Sequence, residues 1–177
     1  ESCRREWEAE GRPQPIESLL AAVGRIEEPA GVIFPDDRRF FAPASMVREL
    51  REALTETGQR APENPARLAK VVLDSLALRY ASIVKTIERV TGRSVPGIHI
   101  VGGGSLNAYL NQATADASGR PVLAGPVEAT AIGNLLVQGM AAGTIGSVAE
   151  GRRLVAETFP PVRFVPRRDL TAATATA

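Results

Sequence analysis

The sequence predicts an α/β fold in which helices outnumber strands, and three observations lead there. Apolar residues recur at three- and four-residue spacing through most of the first half of the chain, the pattern of amphipathic helices. From residue 97 the order becomes strand, helix, strand, helix, which implies parallel strands joined by crossover helices. Hydrophobic residues make up 44% of 177 positions, enough for a packed core rather than a disordered chain.

Each element follows from its own signals. Residues 1–12 (ESCRREWEAEGR) read as the end of a helix stopped near Gly11 and Pro13. Ile16, Leu19, Leu20 and Val23 define a short helix with Gly24 near its end. Residues 31–43 (GVIFPDDRRFFAP) have apolar ends around a charged centre and read as an extended segment and loop. The next helix spans residues 43–58, with Pro43 at its start, Met46, Val47, Leu50 and Leu54 on one face, and Gly58 as terminator. Residues 63–91 form the longest helix, carrying Leu68, Val71, Val72, Leu76, Tyr80, Ile83, Val84, Ile87 and Val90 at helical spacing. Asn64 is placed to cap it, Pro65 fits its first position, and Gly92 follows its end.

Residues 97–101 (GIHIV) form a short strand stopped by Gly102, and residues 105–118 a helix with Leu106, Tyr109, Leu110 and Ala113 on one face, ended at Gly119. Residues 121–124 (PVLA) form a second strand. Residues 126–142 form a helix of small residues, among them Ala129, Ala131, Gly133 and Gly139; residues 145–157 form another, and residues 162–165 a last edge strand. The Ala/Thr run from Thr171 is expected to fray.

Bulk properties narrow the function. A net charge of +1 gives no electrostatic bias toward nucleic acid or a membrane surface. The lone Cys3 excludes an internal disulfide and a cysteine-built metal site, and together with the lack of a leader it fits a cytoplasmic protein. No apolar run approaches the ~20 residues of a membrane span.

The stretch that asks for chemistry is residues 99–134 (HIVGGGSLNAYLNQATADASGRPVLAGPVEATAIGN). A strand that ends in glycines and opens a helix lets a ligand approach the backbone, and free N–H groups there favour anions. A tight strand-to-helix turn without a ligand uses the same residues. Two phosphate-binding patterns fail: no Lys follows Gly104 as a P-loop requires, and Asn107 stands where a dinucleotide fingerprint needs its third glycine. No acidic residue ends the following strand to hold a ribose, so an oxidoreductase module is disfavoured. Asn107 carries both a donor and an acceptor, which suits a nucleobase edge as well as a helix start.

These residues resemble the C-terminal signature of the FGGY carbohydrate kinases, most of all its rhamnulokinase branch. The match runs through Gly102, Gly103, Gly104, Asn107, Leu110, Gln112, Ala115, Asp116, Gly119, Val122, Gly125, Pro126, Glu128 and Ala129. Upstream, FPDDRRFFAPASM (34–46) and DSLALRYASIV (74–84) point to the same branch, and the likeness extends to about Pro166. The resemblance implies an actin-like ATPase (ribonuclease H-like) fold, of which residues 1–170 form part of the C-terminal nucleotide-binding domain and 171–177 a tail. It implies ATP and Mg²⁺ as cofactors, transfer of the γ-phosphoryl group to a sugar, and L-rhamnulose as acceptor, with fuculose- or xylulose-type kinases as alternatives. Gly102, Gly103 and Gly104 would lie against the nucleotide and Asn107 would approach adenine. Gln112 and Asp116 are expected to make contacts along their helix. Glu128 would brace the glycine turn, or simply favour the helix dipole.

The same family places its catalytic aspartate and sugar contacts in a preceding domain. The chain, opening on Glu1, is therefore expected to be a piece with no catalytic residue of its own, inactive alone, with an unpaired sheet edge inviting self-association. Asp36 and Asp37 are candidate Mg²⁺ ligands but fit a solvated turn better, and His99 fits a structural role on its strand. A non-enzymatic regulatory α/β module is the competing reading.

Overall fold

The structure, a computed structural model, describes residues 1–167, so the expected frayed tail lies outside the described residues. The chain forms two compact units, Glu1–Ser82 and one beginning at Ile83, with the division inside the longest helix.

The first unit is helical. It comprises α1 (Ser2–Ala9), α2 (Ile16–Gly24), α3 (Met46–Glu56) and the first two-thirds of α4 (Pro65–Thr91). Its core gathers Trp7, Leu19, Val23, Leu50, Leu54, Leu68 and Val71, all from the predicted apolar faces except Trp7. α4 starts as its sequence dictates: the Asn64 carboxamide oxygen accepts the N–H groups of Ala66 (2.8 Å) and Arg67 (3.2 Å), and Pro65 occupies the first turn, where its missing donor is harmless.

Two boundaries differ from the sequence reading. α3 begins at Met46, not Pro43, because Ser45 is the cap: its Oγ accepts from Arg48 N (3.1 Å) and donates to Glu6 Oε2 (2.7 Å). The Glu6 carboxylate, reaching across from α1, also takes the N–H of Met46 (2.6 Å) and of Val47 (3.4 Å). One carboxylate thus closes the N-terminal end of α3, where the helix dipole favours a negative charge. Within the segment 31–43, Arg38–Phe40 form a short 3₁₀ helix capped by Asp37. The extended part is held by the Gln59 carboxamide, which accepts from Val32 N (2.8 Å) and donates to Val32 O (2.7 Å), and by Ser75 Oγ, which accepts from Ile33 N (3.0 Å).

In the second unit α4 ends at Thr91, followed by Gly92 at φ +65°, a left-handed conformation natural to glycine. Then come β1 (Ile98–Ile100), a 3₁₀ helix (Gly102–Leu106), α5 (Ala108–Ser118), β2 (Val122–Ala124), α6 (Ala129–Ala141), α7 (Val148–Thr158) and β3 (Val162–Phe164). The sheet order is β1-β2-β3. β1 and β2 are parallel, with Ile98 opposite Val122 and Ile100 opposite Ala124. This is the crossover arrangement predicted, with α5 as the crossing helix. β3 pairs antiparallel to β2, Val122 opposite Phe164, so the sheet is mixed. Two helices separate β2 from β3, which lets the chain re-enter the sheet at the end where β2 left it.

α5 buries Leu110, Asn111, Thr114 and Ala115, and Val122 and Ala124 are buried within the sheet. α6 begins three residues later than predicted, after Pro126, Val127 and Glu128. α7 is capped by Ser147, which accepts from Glu150 N (3.1 Å), while Glu150 accepts from Gly146 N (2.8 Å). Gly151 lets α7 close on α6: a Cβ there would lie 3.3 Å from a Leu136 methyl. Among the described residues no helix is long and apolar enough to cross a membrane.

Two stability predictions follow from these ties. Glu6→Ala leaves the α3 amides and Ser45 without their carboxylate and should lower stability by about 1–2 kcal/mol, read from the denaturant midpoint. In the second unit Glu88 accepts from Val95 N (2.8 Å) and Arg120 Nη2 (2.7 Å), and the Val95 amide first, then Arg120, hold its pKa below 4.5. A carboxylate with a lowered folded pKa contributes stability above its unfolded value and loses it as pH falls through the folded one. Glu88→Gln should therefore destabilise at pH 6 and match the parent at pH 2–3 (about two units below the carboxylate range); an equal offset at both would refute the linkage.

Candidate functional site

The three glycines after β1 are not equivalent. Gly102 has φ +74° and donates its N–H to Pro126 O (3.1 Å), so glycine at this position serves the backbone itself. Gly103 and Gly104 have no left-handed backbone. A Cβ on Gly103 would meet nothing within 4 Å, and one on Gly104 only an Ile100 methyl at 3.6 Å, an ordinary contact. Both are exposed. Nothing inside the described chain requires glycine at 103 or 104.

The turn is held from several directions. Ser105 Oγ donates to Gly102 O (2.6 Å), and Asn111 Nδ2, from the buried face of α5, donates to Ser105 O (2.9 Å). Asn107 N donates to Gly104 O (3.1 Å). Across the turn, Gly125 N donates to Ile100 O (2.8 Å), tying the exits of β1 and β2 together. His99 Nε2 lies 2.7 Å from Gly125 O; a carbonyl only accepts, so this nitrogen carries the proton. His99 thus has the structural role expected of it.

Asn107 stands at a helix start, one of the two roles its sequence left open, though the helix begins later than predicted. The segment 105–118 is not one helix: a 3₁₀ helix ends at Leu106 and α5 begins at Ala108, with Asn107 at the junction as N-cap. Its Oδ1 accepts from Leu110 N (3.0 Å), so Nδ2 is the group with donors to offer a ligand. Glu128 does not cap α6 through its side chain, and the brace expected from it comes instead from the carbonyl of Pro126. The helix contacts expected of Gln112 and Asp116 are present: Gln112 Nε2 donates to Asp116 Oδ1 (2.9 Å) and to Val165 O (2.8 Å), and Asp116 Oδ1 accepts from Arg167 N (2.7 Å). Together they fasten the segment after β3 to α5.

The acidic pair of the first unit is engaged by arginines. Asp36 is paired with Arg79 (2.5 Å), whose guanidinium also lies 5.4 Å from the Phe34 ring centroid. Asp37 accepts from Arg39 N (3.0 Å) and Nε (3.2 Å); that backbone bond above all lowers its pKa. Arg39 in turn bonds Glu56 (2.7 Å). Among the described residues no group of three or more His, Cys, Asp or Glu is placed to hold a metal ion. A hollow of about 690 Å³ in the same unit, near Gly31 and Gln59, is walled by the Glu28–Arg67 ion pair and by the Gln59 carboxamide already bonded to Val32.

Sequence reasoning missed Ser105, Asn111 and Pro126. Asn111 had a signal: a carboxamide on the face of α5 that also carries Leu110 and Ala115 is an anomaly at a core position. Pro126 acts through its backbone carbonyl, which no residue pattern reveals.

Residues 1–142 match the FGGY family of carbohydrate kinases, C-terminal domain, and the chain belongs to this family. The actin-like ATPase fold expected for it follows from that membership. Within the family it is rhamnulokinase-like. It is 38% identical to a rhamnulokinase of Bacteroides thetaiotaomicron over 167 residues, covering 94% of this chain and 34% of that protein. It is 45% identical over 130 residues to one from Halalkalibacterium halodurans (73% and 28% covered) and 41% identical over 132 residues to one from Bacillus subtilis (75% and 27%). The chain spans about a third of the length of the relatives it matches. Among solved structures, a xylulose kinase from Rhodospirillum rubrum aligns with TM-score 0.48 and 20% identity, over 71% of this chain and 25% of that one.

The inequality of the glycines is testable. Gly102→Ala should lower stability by about 1–2 kcal/mol, since only glycine adopts the left-handed conformation without strain. Gly103→Ala should leave it unchanged or raise it by up to about 1 kcal/mol, through the less flexible unfolded chain. Denaturant midpoints of the two variants against the parent decide it.

Proposed function

We propose that this chain supplies the nucleotide side of a kinase that transfers the γ-phosphoryl group of ATP to a sugar, with L-rhamnulose as acceptor and its 1-phosphate as product. Gly102, Gly103 and Gly104 would lie against the adenosine and phosphates, and the Asn107 amide would approach adenine. The observation that carries this reading is the exposed pair Gly103 and Gly104, where among the described residues neither backbone conformation nor space requires glycine. Absent Cβ atoms keep open the surface on which a planar base or a phosphate would rest. The turn offers main-chain donors and no lysine, so binding here rests on shape and hydrogen bonds more than on charge.

Bound ATP would bring the phosphoryl group; the residues of this chain would only hold and orient it. Phosphoryl transfer also needs a group to position the acceptor hydroxyl and cations to spread the charge. His99 bonds the main chain and Asp36 and Asp37 bond arginines, so none of them is offered as that group. The base, the sugar contacts and the Mg²⁺ ligands belong, in this proposal, to the remainder of a protein as long as the relatives. This chain alone would bind nucleotide weakly and turn over no sugar. The outer edge of β1, which pairs only with β2, is the place where copies of the isolated chain would associate.

The test is titration of Mg-ADP into isotope-labelled chain, following backbone amides. Shifts centred on residues 102–107 and on the start of α6 are expected, and Gly103→Ala should reduce them severalfold while the fold persists. A silent turn in a folded chain, or shifts confined to the first unit, would overturn the assignment.

A further inference from the structure

We infer that Asn111 is the positioning residue of the nucleotide turn: its buried carboxamide holds the Ser105 carbonyl, and Ser105 holds that of Gly102, in the conformation that receives the nucleotide. The inference rests on the nucleotide reading of the turn. Asn111 is fully buried, at 0% exposure, on a helix face otherwise built from Leu110, Ala115 and Thr114. Its Nδ2 has its partner in Ser105 O at 2.9 Å, while its Oδ1 has none among the described residues. A half-satisfied carboxamide is a poor choice for a core when leucine has the same number and branching of heavy side-chain atoms and no polar atoms to desolvate. What the carboxamide does that leucine cannot is reach the turn.

The chain of bonds is continuous and short. Asn111 fixes Ser105 O, Ser105 Oγ fixes Gly102 O at 2.6 Å, and Gly102 N is fixed by Pro126 O at 3.1 Å. Glycines at 103 and 104 have no side chains to hold them, so the 3₁₀ helix depends on its flanks for rigidity. Asn111 makes the one bond in this series that comes from a side chain of α5, and it joins the turn to the packed layer beneath it. Thr114 supplies the control. It lies one turn further along the same buried face, is equally buried, and its Oγ1 also has no partner among the described residues, but it makes no bond to the turn.

The experiment compares Asn111→Leu and Thr114→Val with the parent chain by amide hydrogen exchange, denaturant midpoint and Mg-ADP titration. Asn111→Leu should keep the midpoint close to that of the parent, speed exchange selectively across residues 102–107, and weaken Mg-ADP about tenfold, the loss of one hydrogen bond's worth of pre-organisation. Thr114→Val should leave exchange and binding alone. If Asn111→Leu fails to fold, Asn111→Ala, which removes the carboxamide without adding bulk or charge, replaces it. Parent-like binding by these Asn111 variants overturns the inference while leaving the nucleotide reading intact. A parent chain that gives no Mg-ADP response overturns the nucleotide reading itself, and the positioning role with it, even where exchange across the turn has risen.

Discussion

The second unit depends on one main-chain linkage, the pair of hydrogen bonds that joins the exits of β1 and β2. Gly125 N reaches Ile100 O, and Gly102 N reaches Pro126 O, so each strand's exit both gives and receives. Because β1 and β2 are parallel, their carboxyl ends lie at the same edge of the sheet. In open α/β sheets the crevice outside the carboxyl ends is where ligands bind, between loops that leave in different directions. Here the two departing loops are the glycine turn and the segment leading to α6. Gly102 and Gly125, both at positive φ, let the chain turn away from the sheet without straining a side chain. The meeting of the two loops at one edge is thus a consequence of strand direction.

The punctuation of the chain was legible in its sequence, and the long-range ties were not. Asn64 and Pro65 start α4, Gly92 and Gly119 follow helix ends, and both parallel strands lie where short apolar runs precede glycine. Such signals are local, because capping and left-handed turns involve only nearby residues. The start of α3 shows both kinds of signal: Ser45 caps it locally, although Pro43 reads as the first turn in sequence, and Glu6, forty positions before Met46, closes the same end from afar. The break at Asn107 was hidden because three glycines have no apolar pattern to distinguish 3₁₀ from α geometry. The antiparallel direction of β3 depends on how α6 and α7 return the chain. Of the candidate site, Gly102, Gly103, Gly104 and Asn107 were named from the sequence, and the bonds of Asn111 and of the Pro126 carbonyl that hold the turn were not.

Charge is distributed so that most carboxylates of the first unit already have a partner. The chain carries 21 basic and 20 acidic side chains. Arg39 alone engages Asp37 and Glu56, and Arg79 engages Asp36. These partly exposed pairs add little stability individually. Their consequence is geometric: a carboxylate bonded to a guanidinium has acceptor sites already occupied, which leaves fewer to offer a ligand. In the nucleotide reading proposed above, recognition rests on the backbone of the glycine turn, which is tolerant of charge and sensitive to geometry.

That sensitivity sets a conflict that the turn resolves in an instructive way. Glycine keeps the surface open for a ligand, but each glycine loses more chain entropy on ordering than other residues, by roughly 0.5–1 kcal/mol relative to alanine. A flexible turn would return that entropy at the moment of binding and weaken it. Packing cannot restore rigidity, because Gly103 and Gly104 have no side chains to pack. Hydrogen bonds from the flanks can: Ser105 from within, Asn111 from beneath, and the Pro126 carbonyl from the neighbouring strand's exit. Openness is supplied by the residues at the centre of the turn and order by those around it, so a substitution at Gly103 alters the open surface and one at Asn111 the order, two opposite physical causes acting on the same turn.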